Sequence, residues 1–344
     1  MRRPRSAACR PSPRPSASPG YLAQRLDAAL ARRATLLADP QTNVGRIFNS
    51  AADGIAGLVL ERLGDVLIAQ LHAERLALDE DAARSLCAAA AERLRVRAVY
   101  RKVCPRDRAA VSPALDVLHH DPNPWIGERV APELPVREAS MTFLVRPYDG
   151  YATGLFLDHR AHRALVRELA AGRRVLNTFA YTCAFTVAAA IGGAAATVSV
   201  DVSRRFLEWG KRNLAANGLA LERHRFICSD VFDYYRRAAR QGQRFDLVIL
   251  DPPTFGRARQ PRRVFVLAED LERLVAEALP LLERGGCVLL SVNHRGTSLR
   301  RLEQVVAAAA RERGRKIAHI EHPAPPEDFR GDRDAAKSVL VRLS

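Results

Sequence analysis

Residues 248–255 read VILDPPTF, an apolar run that ends in an acid, two prolines, a threonine and a phenylalanine. A buried strand cannot continue through Pro252 and Pro253, because each proline ring removes a backbone donor and fixes φ. The strand is therefore predicted to stop at Asp251 and to turn a stiff corner there. The strands and helices around this corner decide whether it is only a turn or a reaction site.

Strand and helix patterns alternate on both sides of this corner, from about residue 160 onward. The strand candidates are 174–179, 196–201, 224–230, 245–251, 287–293, 316–322 and 338–343. The helical patterns are 160–170, 184–191, 203–217, 231–240, 267–283 and 298–313. Such alternation predicts an α/β fold in which a parallel sheet is covered by helices on both faces. Ligands of these sheets bind beyond the carboxyl ends of the strands, where the strand order reverses.

The chain before this alternation is predicted to form a small α+β domain over residues 41–125 that binds RNA or substrate. The stretch GLVLERLGDVLIAQLH, within 44–72, predicts a β-hairpin. A helical pattern over 78–95 and a strand pattern over 97–103 follow it. The Pro-rich stretch 112–125 is interpreted as a linker out of this domain.

Two further segments complete the predicted organisation. Residues 1–40 are a tail and a lead-in helix, and residues 1–20, with five arginines and no acid, are too polar to fold. The stretch MTFLVRPYDGYATGLFLD (141–158) predicts a strand, a turn and a second strand, so that 126–158 forms a β-hairpin linker that covers the ligand site. Residues 159–344 are then the large α/β domain.

The composition indicates a polyanionic partner. The chain has 344 residues, enough for two domains, and carries 54 basic and 38 acidic residues for a net charge of +16. Clustered arginine and lysine neutralise phosphates, so nucleic acid is the first candidate. The alternative is a genome whose composition favours arginine codons. Such a bias would replace lysine by arginine, but it would not explain why basic residues outnumber acidic ones.

Metal-binding and membrane proteins are disfavoured by what the sequence lacks. The six cysteines include no CxxC pair and no Cys/His run at metal spacing, which predicts no metal site and a reduced, cytoplasmic chain. No stretch approaches the roughly 20 apolar residues of a membrane span, so no membrane partner is expected.

The first three strands of the predicted sheet end in polar residues. The first ends in NTFAYTC (177–183), which contains no GxGxxG, so a dinucleotide-binding fingerprint is absent. The second ends in Asp201, where a carboxylate could accept hydrogen bonds from two ribose hydroxyls, or instead cap the helix that begins at Ser203. The third ends in Asp230, which could contact an adenine amine or again cap a helix.

Together with the corner at 248–255, these strand ends resemble a class I S-adenosylmethionine (SAM) methyltransferase. The segments similar to bacterial large-subunit (23S) rRNA methyltransferases are NTFAYTCAF (177–185), SVDVSRRFLEWGKRNLAANGL (199–219), DPPTFGRARQ (251–260) and SVNHRG (291–296). The resemblance implies a Rossmann-like, mostly parallel seven-stranded sheet preceded by a small α+β domain. It also implies SAM as cofactor and 23S rRNA, or a large-subunit precursor, as partner.

Two kinds of enzyme in this family resemble the chain, the 5-methylcytosine enzymes and the guanine-N7 methyltransferase half of a bifunctional enzyme. Methylation of cytosine C5 requires a nucleophile that first adds to C6. The cytosine enzymes place that cysteine at the end of the fifth strand, where counting from Gly285-Gly286 gives Asn293 in this chain. The run DPPTF, followed later by Ser-x-Asn-x-Arg-Gly, matches the guanine-N7 pattern.

Direct in-line transfer to a base nitrogen, guanine N7 or an amine, is therefore predicted. One alternative is cytosine C5 methylation with a displaced cysteine, for which Cys183, Cys228 and Cys287 are the candidates. Another alternative is an RNA-binding assembly factor that has kept the fold without turnover.

The resemblance also implies roles for individual residues. Those implied to act on the base are Asp251, Pro252, Pro253, Phe255 and Asn293. Those implied to bind SAM are Asn177, Phe179, Tyr181, Thr182, Asp201, Asp230, Asp158 and Arg160. Those implied to contact RNA phosphates are Arg257, Arg259, Arg262 and Arg263, with a solvated loop as the alternative.

The roles at the corner depend on its stiffness. The two prolines fix the carbonyls at the strand end, so that they and Asp251 can accept hydrogen bonds from a base edge in one geometry. Phe255 would stack on the base, as aromatic rings do with unpaired RNA bases, and its alternative is a place in the core. Asn293 would bond the base or the corner, and its alternative is a strand-end cap.

The roles of Arg160 and Cys183, next to the implied SAM site, are each open to two interpretations. Asp158 and Arg160 of LFLDHR would cover the cofactor, although Arg160 could instead pair with a neighbouring carboxylate. The family usually has glycine where this chain has Cys183, close to the methionine part of SAM. If that position has φ > 0, a cysteine there is strained.

Overall fold

The computed structural model describes residues 18–105, 112–259 and 262–344, with the side chains of 257–263 left out. It divides the chain into two compact units. The first contains the residues up to Thr35 and Arg46–Val130, and the second contains Leu36–Gly45 and Ala131–Ser344. Most of the predicted disordered tail, residues 1–17, lies outside the described residues.

The first unit is built around a mixed sheet. In chain order the elements as far as residue 130 are α1 (Pro19–Arg32), α2 (Ala34–Ala38), β1 (Val44–Asn49), β2 (Leu58–Leu63), β3 (Val66–His72), α3 (Glu80–Leu94), β4 (Ala98–Cys104), α4 (Pro113–His120) and β5 (Ile126–Gly127). The strand order is β1-β2-β3-β4-β5. Strands β2 and β3 pair antiparallel, which confirms the predicted hairpin.

The predicted linker over 112–125 is wrong, because α4 occupies most of it. Ser112 is the N-cap of this helix, and its side chain accepts a hydrogen bond from the backbone N–H of Leu115. Pro113 stands in the first turn, where its missing N–H costs no hydrogen bond. The prolines that suggested a linker therefore begin a helix.

The second unit contains the α/β domain. Its elements are β6 (Leu134–Glu138), β7 (Met141–Val145), α5 (Arg160–Leu169), β8 (Arg174–Thr178), α6 (Ala184–Ile191), β9 (Ala196–Asp201), α7 (Arg204–Ala215), β10 (His224–Cys228), α8 (Val231–Arg240), β11 (Phe245–Leu250), β12 (Phe255–Arg259), β13 (Arg262–Val266), α9 (Leu267–Ala278), β14 (Leu282–Val292), α10 (Leu299–Glu312), β15 (Ile317–Glu321) and β16 (Lys337–Leu343). The main sheet has the order β10-β9-β8-β11-β14-β16-β15.

This seven-stranded sheet confirms the predicted fold class. Strands β10, β9, β8, β11 and β14 are parallel, and β16 runs antiparallel to both β14 and β15. The order reverses between β8 and β11, so the ligand-binding edge is expected at their carboxyl ends. Val248, Ile249 and Leu250 of β11 are fully buried, as helices on both faces of a parallel sheet require.

The predicted hairpin over 141–158 is wrong in its second strand. Strand β7 pairs with the preceding β6, and no strand forms between Arg146 and Arg160. Gly154 explains the interruption, because it has φ +105 and lies so close to the Trp209 ring that an added Cβ would be 2.7 Å from Cη2. This backbone conformation and close approach suit glycine and are incompatible with a regular strand.

A second difference follows the DPPTF corner. The predicted basic loop is a hairpin of β12 and β13, whose pairing runs from Phe255↔Val266 to Arg259↔Arg262. Phe265 is buried and packs against Phe179 at 5.1 Å between ring centroids, which anchors the hairpin to the sheet. The strands were not predicted because the segment is rich in arginine and contains a proline, which is typical of a loop.

Candidate active site

The carboxyl ends of the neighbouring strands β8, β9 and β10 lie side by side. Thr178 of β8 pairs with Val200 of β9, and Asp201 at the end of β9 pairs with Cys228 of β10. The loop after β8 and the acids after β9 and β10 therefore meet at one edge of the sheet, as predicted. This is the edge at which α/β proteins of this kind bind their ligands.

The loop after β8 has an unusual backbone. Phe179, Tyr181 and Cys183 have φ values of 53°, 48° and 60°, a region that non-glycine residues enter rarely. The loop is held by hydrogen bonds from Ala180 N to Val200 O and from Tyr181 N to Asp201 Oδ2, at 3.0 and 2.9 Å. Strain of this kind persists where surrounding contacts over-determine the backbone, commonly at ligand sites.

Cys183 occupies the left-handed conformation for which glycine would be unstrained. Its side chain is fully buried, and Gly210 of α7 makes room for it. A Cβ added at Gly210 would clash with Cys183 Sγ and lie 2.7 Å from its Cβ. The cysteine is thus accommodated by the absence of a side chain on the neighbouring helix.

We expect Gly210→Ala to lower the free energy of unfolding by about 1–3 kcal/mol, because the added methyl overpacks this contact. Cys183→Gly in the same protein should restore most of the loss, which a double-mutant cycle by urea unfolding measures. Gly20→Ala in α1 is the control, since an added Cβ there meets nothing within 4 Å. Additive effects of the two changes would contradict this packing argument.

Asp201 is oriented by the backbone around it. Its Oδ2 accepts from Tyr181 N and its Oδ1 accepts from Ser203 N at 2.8 Å. The helix-capping alternative is wrong for Asp201, because Ser203 is the N-cap of α7. Burial raises the pKa of Asp201. A carboxylate has about four lone-pair sites, and the two backbone N–H groups occupy one on each oxygen. Each oxygen can therefore still accept a hydrogen bond from a ribose hydroxyl.

Asp230 caps α8, as the alternative for this residue supposed. Its Oδ1 accepts from the N–H groups of Phe232 and Asp233 at 3.0 and 3.3 Å. The contact of Asp230 with an adenine amine stays a prediction.

The side chains of Asn177 and Thr182 are buried inside the loop. Asn177 Nδ2 donates to Thr186 Oγ1 at 2.9 Å, and Thr182 Oγ1 donates to the carbonyl of Gly154 at 2.7 Å. Both residues are almost fully inaccessible to solvent. Any contact of theirs with SAM is therefore expected through the backbone.

Asp158 and Arg160 lie just before and at the start of α5. Asp158 is buried, and its Oδ2 accepts from Ala336 N at 3.2 Å. Arg160 forms an ion pair with Asp328, with Nη1 3.2 Å from Oδ2. The alternative in which Arg160 pairs with a carboxylate is confirmed, and its contact with SAM stays a prediction.

The DPPTF corner adjoins the end of β14. Thr254 Oγ1 donates to the backbone carbonyl of Asn293 at 3.3 Å. Phe255 is 51% exposed, so the alternative that places it in the core is wrong. Pro252 is buried and Asn293 is exposed. The hydrogen bond of Thr254 therefore places Asn293 beside the segment 251–255, so that all five residues predicted to act on the base lie around one corner.

Sequence reasoning missed His159, which contacts Asp251. His159 Nε2 lies 3.3 Å from Asp251 Oδ2, and the histidine side chain is only 5% exposed. The histidine stands between two residues that were predicted, Asp158 and Arg160, but no spacing rule connects it with a corner 92 residues later. The backbone of the four predicted RNA-binding arginines lies in β12 and β13, and their side chains fall outside the described residues.

Among the residues that the structure describes, no group of three histidine, cysteine or acidic side chains is placed to hold a metal ion. No helix in the described segments is both long and apolar enough to cross a membrane.

The chain is similar to known methyltransferases over most of its length. A model of the S-adenosylmethionine-dependent methyltransferase family matches residues 124–342. A ribosomal RNA large subunit methyltransferase of Deinococcus radiodurans is 34% identical over 94% of this chain and 79% of its own length. Ribosomal RNA large subunit methyltransferase K of Neisseria meningitidis serogroup B is 42% identical over 52% of this chain, which spans about half of that protein (48%).

A solved structure described as a methyltransferase complexed with SAH has a TM-score of 0.81 and 25% identity to this chain. The match covers 94% of this chain and 81% of that one. Residues at the strand ends fit such a nucleoside-containing ligand, because Asp201 presents a partly buried carboxylate beside a loop whose backbone is fixed. The chain therefore belongs to the family of S-adenosylmethionine-dependent methyltransferases, and SAM is its cofactor.

Proposed function

We propose that this protein methylates a base nitrogen of 23S rRNA, with guanine N7 or an exocyclic amine as the acceptor. The named relatives that act on large-subunit rRNA support the class of substrate. The net charge of +16 supports an RNA partner, since basic side chains neutralise phosphates.

The observation that carries the choice of nitrogen is the exposed Asn293 beside the DPPTF corner. A cytosine C5 mechanism needs a thiolate within reach of the base. Cys183 and Cys287 are fully buried, and burial raises the pKa of the Cys183 thiol. Cys228 is exposed but lies on β10, four strands away from β14 or about 19 Å at the usual strand spacing.

A nitrogen acceptor needs orientation more than activation. SAM, when bound, supplies a methyl group activated by a positive sulfonium, and the electron pair of the breaking C–S bond stays on sulfur as the nitrogen lone pair forms the N–C bond. Asp251 and the carbonyls fixed by Pro252 and Pro253 accept hydrogen bonds from the base edge, and Phe255 stacks on its face. Methylation at guanine N7 releases no proton, whereas methylation of an amine releases one.

Nucleoside mass spectrometry tests this proposal. Ribosomal RNA from a strain that lacks the gene is compared with the parent and with strains that carry the wild-type, Cys228→Ser or Cys287→Ser gene. We expect a methylguanosine or another N-methylated nucleoside to be missing without the gene and restored by all three. A missing 5-methylcytidine, or failure of one serine variant to restore the nucleoside although it binds SAM, would contradict a nitrogen acceptor.

Phe255→Ala is expected to weaken binding of single-stranded RNA by about 1–3 kcal/mol, the usual contribution of one base stacked on an aromatic ring. Val264→Ala is the matched control, because Val264 is an apolar residue of the same hairpin that is half exposed, as Phe255 is. Fluorescence anisotropy with a labelled oligonucleotide measures both variants. Equal losses for the two variants would show that the hairpin contributes general apolar surface and no stacking.

A further inference from the structure

His159 and His162 form a buried chain of polar contacts that ends at Asp251. His159 Nδ1 lies 3.2 Å from His162 Nδ1, and His162 Nε2 lies 3.3 Å from the carbonyl oxygen of Pro323. His162 is fully buried, and the ring of Phe185 packs edge-on against His159 at 5.3 Å. The two rings are therefore held in place by packing as well as by hydrogen bonds.

This chain of contacts determines where the protons lie. A carbonyl oxygen can only accept, so His162 Nε2 donates to Pro323 O. Burial and the neighbouring His159 lower the pKa of His162 to about 4, so this ring is neutral and its Nδ1 accepts. His159 Nδ1 must then donate to His162. A proton is also required between His159 Nε2 and Asp251 Oδ2, because two lone pairs would otherwise face each other at 3.3 Å.

The charges around His159 favour the same protonation. Burial lowers the pKa of His159, but the carboxylates of Asp251 and Asp158 outweigh it and raise the pKa above 6.5. Arg163 on α5 acts in the opposite direction, and its charge is balanced by Glu138. His162, which also faces His159, is neutral for the reason given above.

We propose that His159 is a positioning residue for methyl transfer, which as an imidazolium holds Asp251 Oδ2 and thereby aims the rest of that carboxylate at the substrate base. This inference rests on the proposed function, since it concerns the same corner. His159 already carries both ring protons, so it does not act as the base that removes a proton from the acceptor. The side chain of Asp251 is 22% exposed, and it connects the buried histidine with the surface of the site.

The protonation of His159 is tested in the full-length protein by nitrogen-15 NMR of labelled histidine, with the His159 signals assigned by their loss in His159→Asn. We expect both ring nitrogens to be protonated near neutral pH and the pKa to fall in Asp251→Asn. His224, whose pKa is lowered by burial, serves as the internal control. A single protonated nitrogen on His159 at neutral pH would overturn the inference. Once the His159 signals are assigned, the wild-type titration does not depend on the stability of Asp251→Asn.

The effect on the reaction is tested by single-turnover methylation of 23S rRNA by His159→Asn and His159→Gln. We expect the rate to fall about 100-fold, as for other displacements of a group that orients a substrate, while the affinity for SAM changes less than about threefold. His319→Gln on β15 is the control, because His319 is exposed and outside the site.

The pH profile separates positioning from a structural role. The wild-type rate should decline as the pH rises through the folded pKa of His159, above 6.5, because the imidazolium is lost there. Neither variant should show that decline. A variant with the wild-type rate, or with the same alkaline decline, would overturn the inference. If the wild-type protein methylates no 23S rRNA, the proposed function fails, and the NMR titration still decides the state of His159.

Discussion

Glu138→Gln is expected to lower the free energy of unfolding by about 3–5 kcal/mol, because it leaves the Arg163 guanidinium buried without its partner charge. The two side chains are almost completely inaccessible. Arg163 donates from Nε to Glu138 Oε1 at 2.7 Å and from Nη2 to Oε2 at 2.6 Å. Urea unfolding of the full-length protein measures the loss.

The control for this prediction is an exposed ion pair of similar length. Arg174 and Glu283 lie 2.7 Å apart with roughly half of each side chain in solvent, so Glu283→Gln should cost at most about 1 kcal/mol. The double variant Glu138→Leu/Arg163→Met should recover much of the loss, since apolar residues of similar volume often replace buried pairs without cost. A loss below about 1 kcal/mol for Glu138→Gln would contradict the account.

The buried pair also connects stability with the site. Arg163 donates from Nη1 to the carbonyl of Phe156 at 2.8 Å, and the ring of Phe156 lies 5.3 Å from that of Tyr181 in the strained loop. His159 precedes Arg163 by one turn of the same helical segment. A single buried ion pair thus helps to fix the segment that carries the positioning histidine.

The main sheet could be predicted from sequence because its strands are buried on both faces. An apolar run such as FDLVIL (245–250) is typical of a buried strand. Pro252 and Pro253 cannot continue a strand, so the end of β11 was also predicted correctly. The acids at the ends of β9 and β10 were identified for the same reason, since the carboxyl ends of parallel strands meet at one edge. Their roles were less certain, because a capping carboxylate and a ligand-binding one have the same local sequence.

Features that depend on contacts between distant segments could not be predicted. Strand β7 pairs with β6 and not with the strand predicted in the second half of 141–158. Gly154 interrupts that segment where it packs against Trp209, 55 residues later in the sequence. Nothing in LFLDHR indicates that its histidine meets Asp251. The helix α4 was missed for another reason. Its start signal, Ser112-Pro113, is local and readable in the sequence, but the other prolines of 112–125 suggested a linker.

Asp251→Asn is expected to reduce the single-turnover rate of methyl transfer by about 100- to 1,000-fold, the usual cost of removing one preorganised polar group from a reaction site. The amide keeps the size of the side chain but can accept through only one atom and cannot form the ion pair with His159. The affinity for SAM, measured by isothermal titration, should change little. Asp251 directly follows β11, and the predicted ribose-binding Asp201 ends β9, two strands away in the sheet.

Asp246→Asn is the matched control, because it makes the same change at the end of β11 opposite to the corner. Asp246 Oδ2 accepts from Arg174 N at 2.7 Å, about 16 Å along the strand from the corner. We expect its rate to stay within about twofold of the wild type, with the melting temperature of both variants confirming that the fold is retained. An Asp251→Asn rate within about fivefold of the wild type would show that the corner orients the base through its proline-fixed carbonyls alone. That result would remove the carboxylate, and with it His159, from the mechanism.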